Sequence, residues 1–455
     1  ELSDFLRENY PDSKSDLFAS FMEVDHYLKE NGFYASINQH SWMFLSSYEK
    51  LRDKIIIHKF IDTMLHLGPR AFEEIGGEVV QSTTFVIRNS SIKNNSGIYV
   101  RLIDERTVID KKEKALEAVQ NPCVSYRYSF NQANFNKIPG RSMAYWVNNV
   151  MVNLLSSKQT IGNSYEVGSG LSTSDNVRFL RYHWEVSNKK ISKNLDSTKG
   201  KWFLFQKGGE FRRWYGNLLH VVNWENEGEE IKYWVTHNPK DPNTTHWSRR
   251  IFNTHLYFRK GITWSVISSG RISFRLTESN SMVSNAAGGI FGNFSEKELY
   301  SLLGALNSKL WGEIFNIINP TLNYSSGIIQ KAPLPDLTML EFDNECIKIS
   351  KEDWDSFEIS IDFLRHPLIT FRSKEMLISE SYSIWDQYTC RQFNRLKSKE
   401  EELNQAIIEA YNLENELTVE ITDEEIAISK SDKLRDIRSF ISYAVGNIFG
   451  RYSLD

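Results

Sequence analysis

Between Lys199 and Arg275 the chain sets Trp, Tyr and Phe among Lys and Arg, as in K-G-K-W-F-L-F-Q-K-G-G-E-F-R-R-W-Y-G-N. The stretch holds thirteen Lys and Arg against six Asp and Glu, a net of +7, in a chain whose formal charge is −4. Two folds suit such a pattern. A twisted antiparallel sheet can bury Trp and turn Arg to its wet face. A basic surface with aromatics is also the footprint of a nucleic-acid reader. Composition favours the sheet slightly, so the rest of the chain must decide.

The 455 residues suffice for two or three domains with full cores. Aromatic content of 13% leans towards β-rich structure. Cys123, Cys346 and Cys390 lie far apart with no CxxC pair, which suits a reducing cytosol better than a disulfide framework or a zinc site. No apolar run is long enough to span a bilayer, and no signal peptide is visible. The chain opens on Glu1 in a helical pattern and closes on Arg451-Tyr-Ser-Leu-Asp455, so both ends read as cuts in a longer protein. No G-x-x-x-x-G-K-[ST], G-x-S-x-G or H-E-x-x-H occurs, nor a zinc-deaminase signature. The ten histidines show no metal-ligand pair at helical spacing, so no metal is expected.

Residues 1–103 read as α/β. The spacing predicts a helix from Asp16 to Glu30, a strand Phe33–Ile37, a helix Ser46–Ile56 and a strand His58–Leu65. Val79–Arg88 and Ile98–Leu102, joined by Asn94-Asn-Ser-Gly97, read as an antiparallel hairpin closing the back half of a mostly parallel sheet. A charged link follows over 104–139. Residues 140–340 are β-rich, with a capping box S-E-K-E opening a helix from Ser295 to Ile317. Residues 341–455 read as helical. From Glu400 to Glu425 there are ten acidic residues and no Lys or Arg.

Two local stretches point to chemistry. Gln39, His40 and Trp42 follow a strand and open a helix, and in open α/β sheets ligands bind beyond the carboxyl ends of strands. They are candidates for an active-site rim, with Trp42 packing as a helix staple the plain alternative. Gly168-Ser-Gly-Leu-Ser-Thr-Ser-Asp-Asn-Val-Arg-Phe-Leu-Arg181 is rich in glycine, hydroxyls and cations. It could clamp phosphates. A loop with Ser172 or Asp175 capping a helical turn fits the pattern better.

These residues carry a resemblance. Q-H-S-W-M-F-L-S-S-Y-E-K-L-R resembles the PglX-type adenine-specific DNA methyltransferases of BREX phage-defence systems, as do M-L-H-L-G-P-R-A-F-E-E-I-G-G-E, I-P-G-R-S-M-A-Y-W-V, G-L-S-T-S-D-N-V-R-F-L-R, K-G-G-E-F-R-R-W-Y-G-N and I-S-Y-A-V-G-N-I-F-G-R-Y-S-L-D. The motifs run through essentially the whole chain, with a more distant likeness to type IIG restriction–modification enzymes. The resemblance implies a partial Rossmann-like methyltransferase sheet, then a β-rich α+β target-recognition domain and a C-terminal helical region. It also implies double-stranded DNA as partner, together with other defence-system proteins. The family extrudes an adenine and methylates its amine from S-adenosylmethionine. No N-P-P-Y loop and no F-x-G-x-G loop occurs in this chain. The expected catalytic residues therefore lie upstream, and the fragment alone is expected to be inactive, in a bacterial or archaeal cytoplasm.

The resemblance places Phe72 or a neighbour up to Gly77 near the extruded base, although core packing is the plainer role for Phe72. It offers Arg141, Thr173, Asn176, Arg178, Arg181, Lys201, Lys207, Arg212, Arg213, Arg271 and Arg275 as DNA contacts, Arg212, Arg213 and Arg271 above all. Trp202, Trp224, Trp234 and Trp264 are expected to build the β-core. The alternatives are a non-enzymatic single-strand binder built on the aromatic, basic domain, or a type IIG enzyme with a nuclease upstream.

Overall fold

The computed structural model describes residues 1–23, 27–73, 80–92, 95–192, 200–268, 270–319, 321–338 and 342–452. They form two compact units, one of residues 1–158 with 316–320, the other of residues 159–315 with 321–455.

The first unit is built on a five-stranded sheet of β1 (Phe33–Gln39), β2 (Phe60–Gly68), β3 (Ser82–Arg88), β4 (Ser96–Arg101) and β5 (Arg127–Asn131), in the order β1-β3-β2-β4-β5. β3 runs antiparallel to both β1 and β2, so those two point the same way, and β4 lies parallel to β2. The carboxyl ends of β1, β2 and β4 therefore share one edge. β2 shows why it is central: Met64, His66 and Gly68 alternate into the core. Gly68 ends the strand at φ +66, where an added Cβ would meet the Ile103 backbone at 2.9 Å.

The hairpin expected over Val79–Leu102 is not formed. β3 inserts between β1 and β2, and β4 pairs with β2 and β5. Local turn chemistry cannot see that choice, because β3 takes both its partners, β1 and β2, from earlier in the chain. The helix expected from Asp16 to Glu30 is a single turn, Leu17–Ser20, among the described residues. The helical pattern at the start of the chain forms the helix Leu2–Asn9. The segment 104–139 carries the helix Val108–Gln120 and β5, both in the first unit.

The second unit holds β6 (Glu166–Ser169), β7 (Leu180–Tyr182), β8 (Ile191–Ser192), β9 (Trp202–Gln206), β10 (His220–Asn223), β11 (Gly261–Ser265), β12 (Phe274–Thr277), β13 (Ser281–Val283) and β14 (Ala287–Phe291). One sheet runs β13-β9-β10-β7, with β8 also on β9; the other runs β12-β11-β14-β6. β9 is buried along its whole length. Phe203 and Phe205 join one apolar cluster, and Trp202 and Leu204 join another on the opposite face. Trp224 and Trp264 are buried as expected, and Trp234 packs partly buried on the core. Gly288 faces the Trp264 ring so closely that any Cβ would collide with it.

Ser295 caps its helix through the expected capping box. The helix stops at Asn307, and extended backbone at Ser308 separates it from a second helix, Lys309–Ile318. The Asn307 side chain exchanges hydrogen bonds with the Phe274 N–H and C=O (2.9 and 3.0 Å), covering the open edge of β12. The helices Glu345–Asp355, Ile378–Ala410 and Lys433–Ile448 complete this unit.

Candidate nucleic-acid interface

Much of the basic stretch turns inward. Arg213 forms an ion pair of 2.8 Å with Glu400 and donates to the Glu425 carbonyl, and both side chains are almost fully buried. Glu400 also accepts from the Trp214 indole N–H at 2.6 Å. Burial pushes the Glu400 carboxyl up, and Arg213 and Trp214 pull it back down. With both donors in place the pair is a buried salt bridge. Arg212 donates to Asp353 (2.6 Å), to the Ser350 and Tyr215 carbonyls, and lies over the Trp354 ring. Arg271 reaches Glu425 at 3.0 Å and Glu313 at 3.5 Å.

Arg275 is fully buried and donates to the Arg212 carbonyl and the Ser265 hydroxyl. Burial lowers its guanidinium to about 10, with Arg212 adding to the effect. Among the described residues no carboxylate lies within ion-pair distance of it. Arg212, Arg213 and Arg275, three of the six cations expected to meet DNA between Lys199 and Arg275, are therefore internal. Arg271 is held by carboxylates. Asp353, Glu400 and Glu425 neutralise Arg212, Arg213 and Arg271 from within the same unit, whereas Arg275 is held by neutral oxygens.

The Gly168–Arg181 segment is also locally satisfied. Asp175 accepts from the Arg178 N–H and caps the turn Asn176–Phe179, and buried Thr173 donates to Asn176 at 2.6 Å. Arg178 is bound to Glu230 and lies over the Trp234 ring. Arg181 donates to the Val177 and Leu180 carbonyls. Lys201 meets Glu225 at 3.5 Å, and both remain partly exposed. Lys207 has no carboxylate within ion-pair distance among the described residues, and burial lowers its ammonium.

In the first unit, Gln39 is exposed at the end of β1, opposite Ser82 of β3. His40 follows, and its Nδ1 lies 2.8 Å from Nε2 of His66, whose Nδ1 lies 3.1 Å from the Tyr145 hydroxyl. Phe44 and Trp146 pack on the His66 ring, and Arg101 lies over Trp146. This row sits where β1, β2 and β4 end together. Lys111, buried, bridges the Leu67 and Leu102 carbonyls at 2.6 Å each and ties β2 to the segment after β4. His66, Tyr145, Trp146 and Lys111 escaped the sequence reading. A histidine at the carboxyl end of an apolar strand was the available signal.

Trp42 is not at a rim. It is fully buried, donates to Asn38 at 3.1 Å and packs edge-on to Phe85, as a core residue does. Phe72 is 40% exposed, so it is not core either. Arg141 pairs with Asp53 and donates to Asn136. The expectation that reached Gly77 falls outside the described residues.

Burial lowers His40 from 6.5 to about 4, and holds His66 well below its usual range with help from His40, Arg101 and Lys111. Two neutral tautomer rows satisfy the contacts: protons can run from His40 through His66 to Tyr145, or back. The unfolded chain takes up protons first as pH falls below about 6.5. Stability is therefore expected to drop between about pH 6.5 and about pH 4, and to be flat above that window for these groups. Urea midpoints at about pH 7 and about pH 5 check this; equal midpoints would mean the row accepts charge in place.

No family model matches the chain. It is 38% identical over its whole length to the adenine-specific methyltransferase PglX of Lacticaseibacillus casei (strain Zhang), and 34% identical to the adenine-specific methyltransferase BrxX of Escherichia coli O9:H4 (strain HS). The chain is homologous, end to end, to a segment of these methyltransferases. It spans 38% and 37% of their lengths. Among solved structures, the type IIL restriction-modification enzyme MmeI in complex with DNA aligns at a TM-score of 0.48 and 13% identity, covering 97% of this chain and 54% of that one. The type ISP enzyme LlaGI with a DNA substrate mimic aligns at 0.41 and 12%, covering 78% and 39%. Among the described residues no helix is long and apolar enough to cross a membrane.

Proposed function

We propose that this chain is the DNA-recognition part, with the distal segment of the catalytic sheet, of an adenine-N6 DNA methyltransferase that marks host DNA in phage defence. The end-to-end homology to two adenine-specific methyltransferases carries the reading. It favours neither the single-strand binder nor a nuclease-bearing restriction enzyme. The first unit, whose sheet includes β5, is assigned to the methyltransferase sheet, the β-rich part of the second unit to target recognition, and the C-terminal helices to a region that braces it. The open edge of β1 supports the first assignment. It pairs only with β3 among the described residues, and it exposes Phe33 and Ile37, a surface that a further strand would cover.

S-adenosylmethionine is the methyl donor in this reading. The chain carries neither the glycine-rich loop nor the N-P-P-Y loop that would hold donor and base, so no methyl-transfer step is derived through its residues. What these residues supply is the β-rich scaffold that positions a duplex. Of the expected DNA contacts in the second unit, the partly or fully exposed Lys201, Lys207, Arg178 and Arg181 are the cations proposed to meet phosphates.

Sequencing of methylated adenines in cells with and without the full-length gene tests the reading. A motif methylated only with the gene is expected, and identical methylomes would end the proposal. The 455-residue chain alone is expected to transfer no methyl group to DNA; incorporation above background would reject that. Replacing Lys201 and Lys207 by Ala is expected to flatten the dependence of log affinity on log salt by about 0.9 per lost phosphate contact. An unchanged slope would remove both from the interface.

A further inference from the structure

On the second unit three rings form a ladder, of which Tyr182 and Trp184 are exposed and His220 is partly buried. Tyr182 of β7 lies directly opposite His220 of β10, with ring centroids 4.8 Å apart. Trp184 stacks on Tyr182 at 4.6 Å with planes 5° apart. Tyr182 is 42% and Trp184 39% exposed, which is unusual for two adjacent large aromatics. The ladder is held rigid from beneath. His183 between them is buried, with Nε2 2.9 Å from the Ile359 carbonyl and its ring edge-on to Trp184. Glu185 accepts from the Tyr182 N–H at 2.7 Å and closes the turn.

Trp184 lines a groove of about 470 Å³, together with Ser187, Asn188, Glu358, Arg451 and Tyr452. Its one lining carboxylate, Glu358, accepts from the Tyr452 hydroxyl at 2.5 Å. Lys189 and Lys190 are exposed on the adjoining turn, and neither has a carboxylate within ion-pair distance among the described residues. Lys207 is close enough to His220 to contribute to lowering its pKa. A flat platform, amide and hydroxyl groups at its margin and cations around it suit one ligand: a nucleobase out of its stack, on a polyanionic strand. A base inside an intact duplex offers no free face to such a platform.

We propose that the Trp184–Tyr182–His220 ladder receives an unstacked base of bound DNA on Trp184. The inference rests on the DNA-recognition reading above. In the complex the base lies on the indole, Asn188 and Ser187 reach its edge, and Lys189, Lys190 and Arg451 meet the flanking phosphates.

The test uses the full-length protein and two fluorescently tagged duplexes of one sequence, one fully paired and one with a single unpaired 2-aminopurine. The expected result is that Trp184→Ala weakens binding of the unpaired probe about tenfold. It should leave the paired duplex nearly unchanged and abolish the quenching of 2-aminopurine. Trp184→Phe, which keeps a ring, should retain most of both signals, with an unchanged melting temperature confirming the fold. Equal affinity and quenching in Trp184→Ala would overturn the inference while leaving DNA recognition intact. So would an equal loss on both probes. If the unaltered protein binds neither duplex, the recognition reading and this inference both fall.

Discussion

Replacing Arg213 by Met is expected to destabilise the second unit by about 3–5 kcal/mol, because it strands the Glu400 carboxylate in the interior. Glu400 is about 1% exposed, and without Arg213 its remaining side-chain donor is the Trp214 indole. Burial already pushes the carboxyl up, and losing Arg213 would push it further, so stability would fall as pH rises above the ordinary carboxylate range. Replacing both partners together, Arg213→Met with Glu400→Gln, should recover much of the loss, since desolvation of two charges offsets most of what a buried pair contributes. Urea unfolding of the four proteins gives the coupling energy. Amide exchange in the helix Ile378–Ala410 reports whether the damage lies where Glu400 sits. Additive single effects would show that the two charges do not depend on each other. A variant that kept its stability but lost DNA affinity would return Arg213 to the nucleic-acid surface.

That pair explains what was legible and what was not. The net positive stretch and the acidic run from Glu400 to Glu425 were both visible in the sequence, yet they read as two separate surfaces. Trp214 and Glu400 are 186 residues apart, and no local periodicity links them. Short-range physics was legible: the Ser295 capping box and the strand at Phe33 follow from spacing, and the β-rich character of the second unit from its composition and turn residues. Strand partnership was not. β3 and β4 are neighbours in sequence with turn residues between them, and still β4 pairs with β2 and β5. The candidate site divides the same way. His40 was legible as the residue after a strand, whereas His66 and Tyr145 join it only through long-range packing. Trp42 misled because a tryptophan at a strand–helix junction serves a rim or a core equally well until burial is known.

In the first unit the largest loss is expected from Arg52→Met. Arg52 lies fully buried on the helix Glu49–His58 and donates to the carbonyls of Trp42 (2.7 Å), Leu45 (2.8 Å) and Gly140 (3.1 and 2.6 Å). Burial lowers the guanidinium to about 10, with Glu49 and Asp53 resisting. None of its hydrogen bonds goes to a carboxylate, so its energetic role is to satisfy three backbone acceptors withdrawn wholly or partly from water, of which the Leu45 carbonyl also accepts from the Tyr48 N–H. A methionine fills most of the volume and satisfies none of them, at about 1–3 kcal/mol for each acceptor left buried. Relaxation of the loops recovers part of that, so a net loss of about 3 kcal/mol is expected in urea unfolding. Arg52→Lys should fall between, because one ammonium can reach only some of the three carbonyls. The same change should disturb the histidine row. Arg52 anchors the segment that carries His40 and Phe44, so the imidazole signals of His40 and His66 should shift in NMR spectra recorded well below the unfolding midpoint. If Arg52→Met unfolds as the unaltered chain does, with both imidazoles unmoved, the carbonyls of Trp42, Leu45 and Gly140 have another donor and Arg52 is not what holds this edge of the sheet.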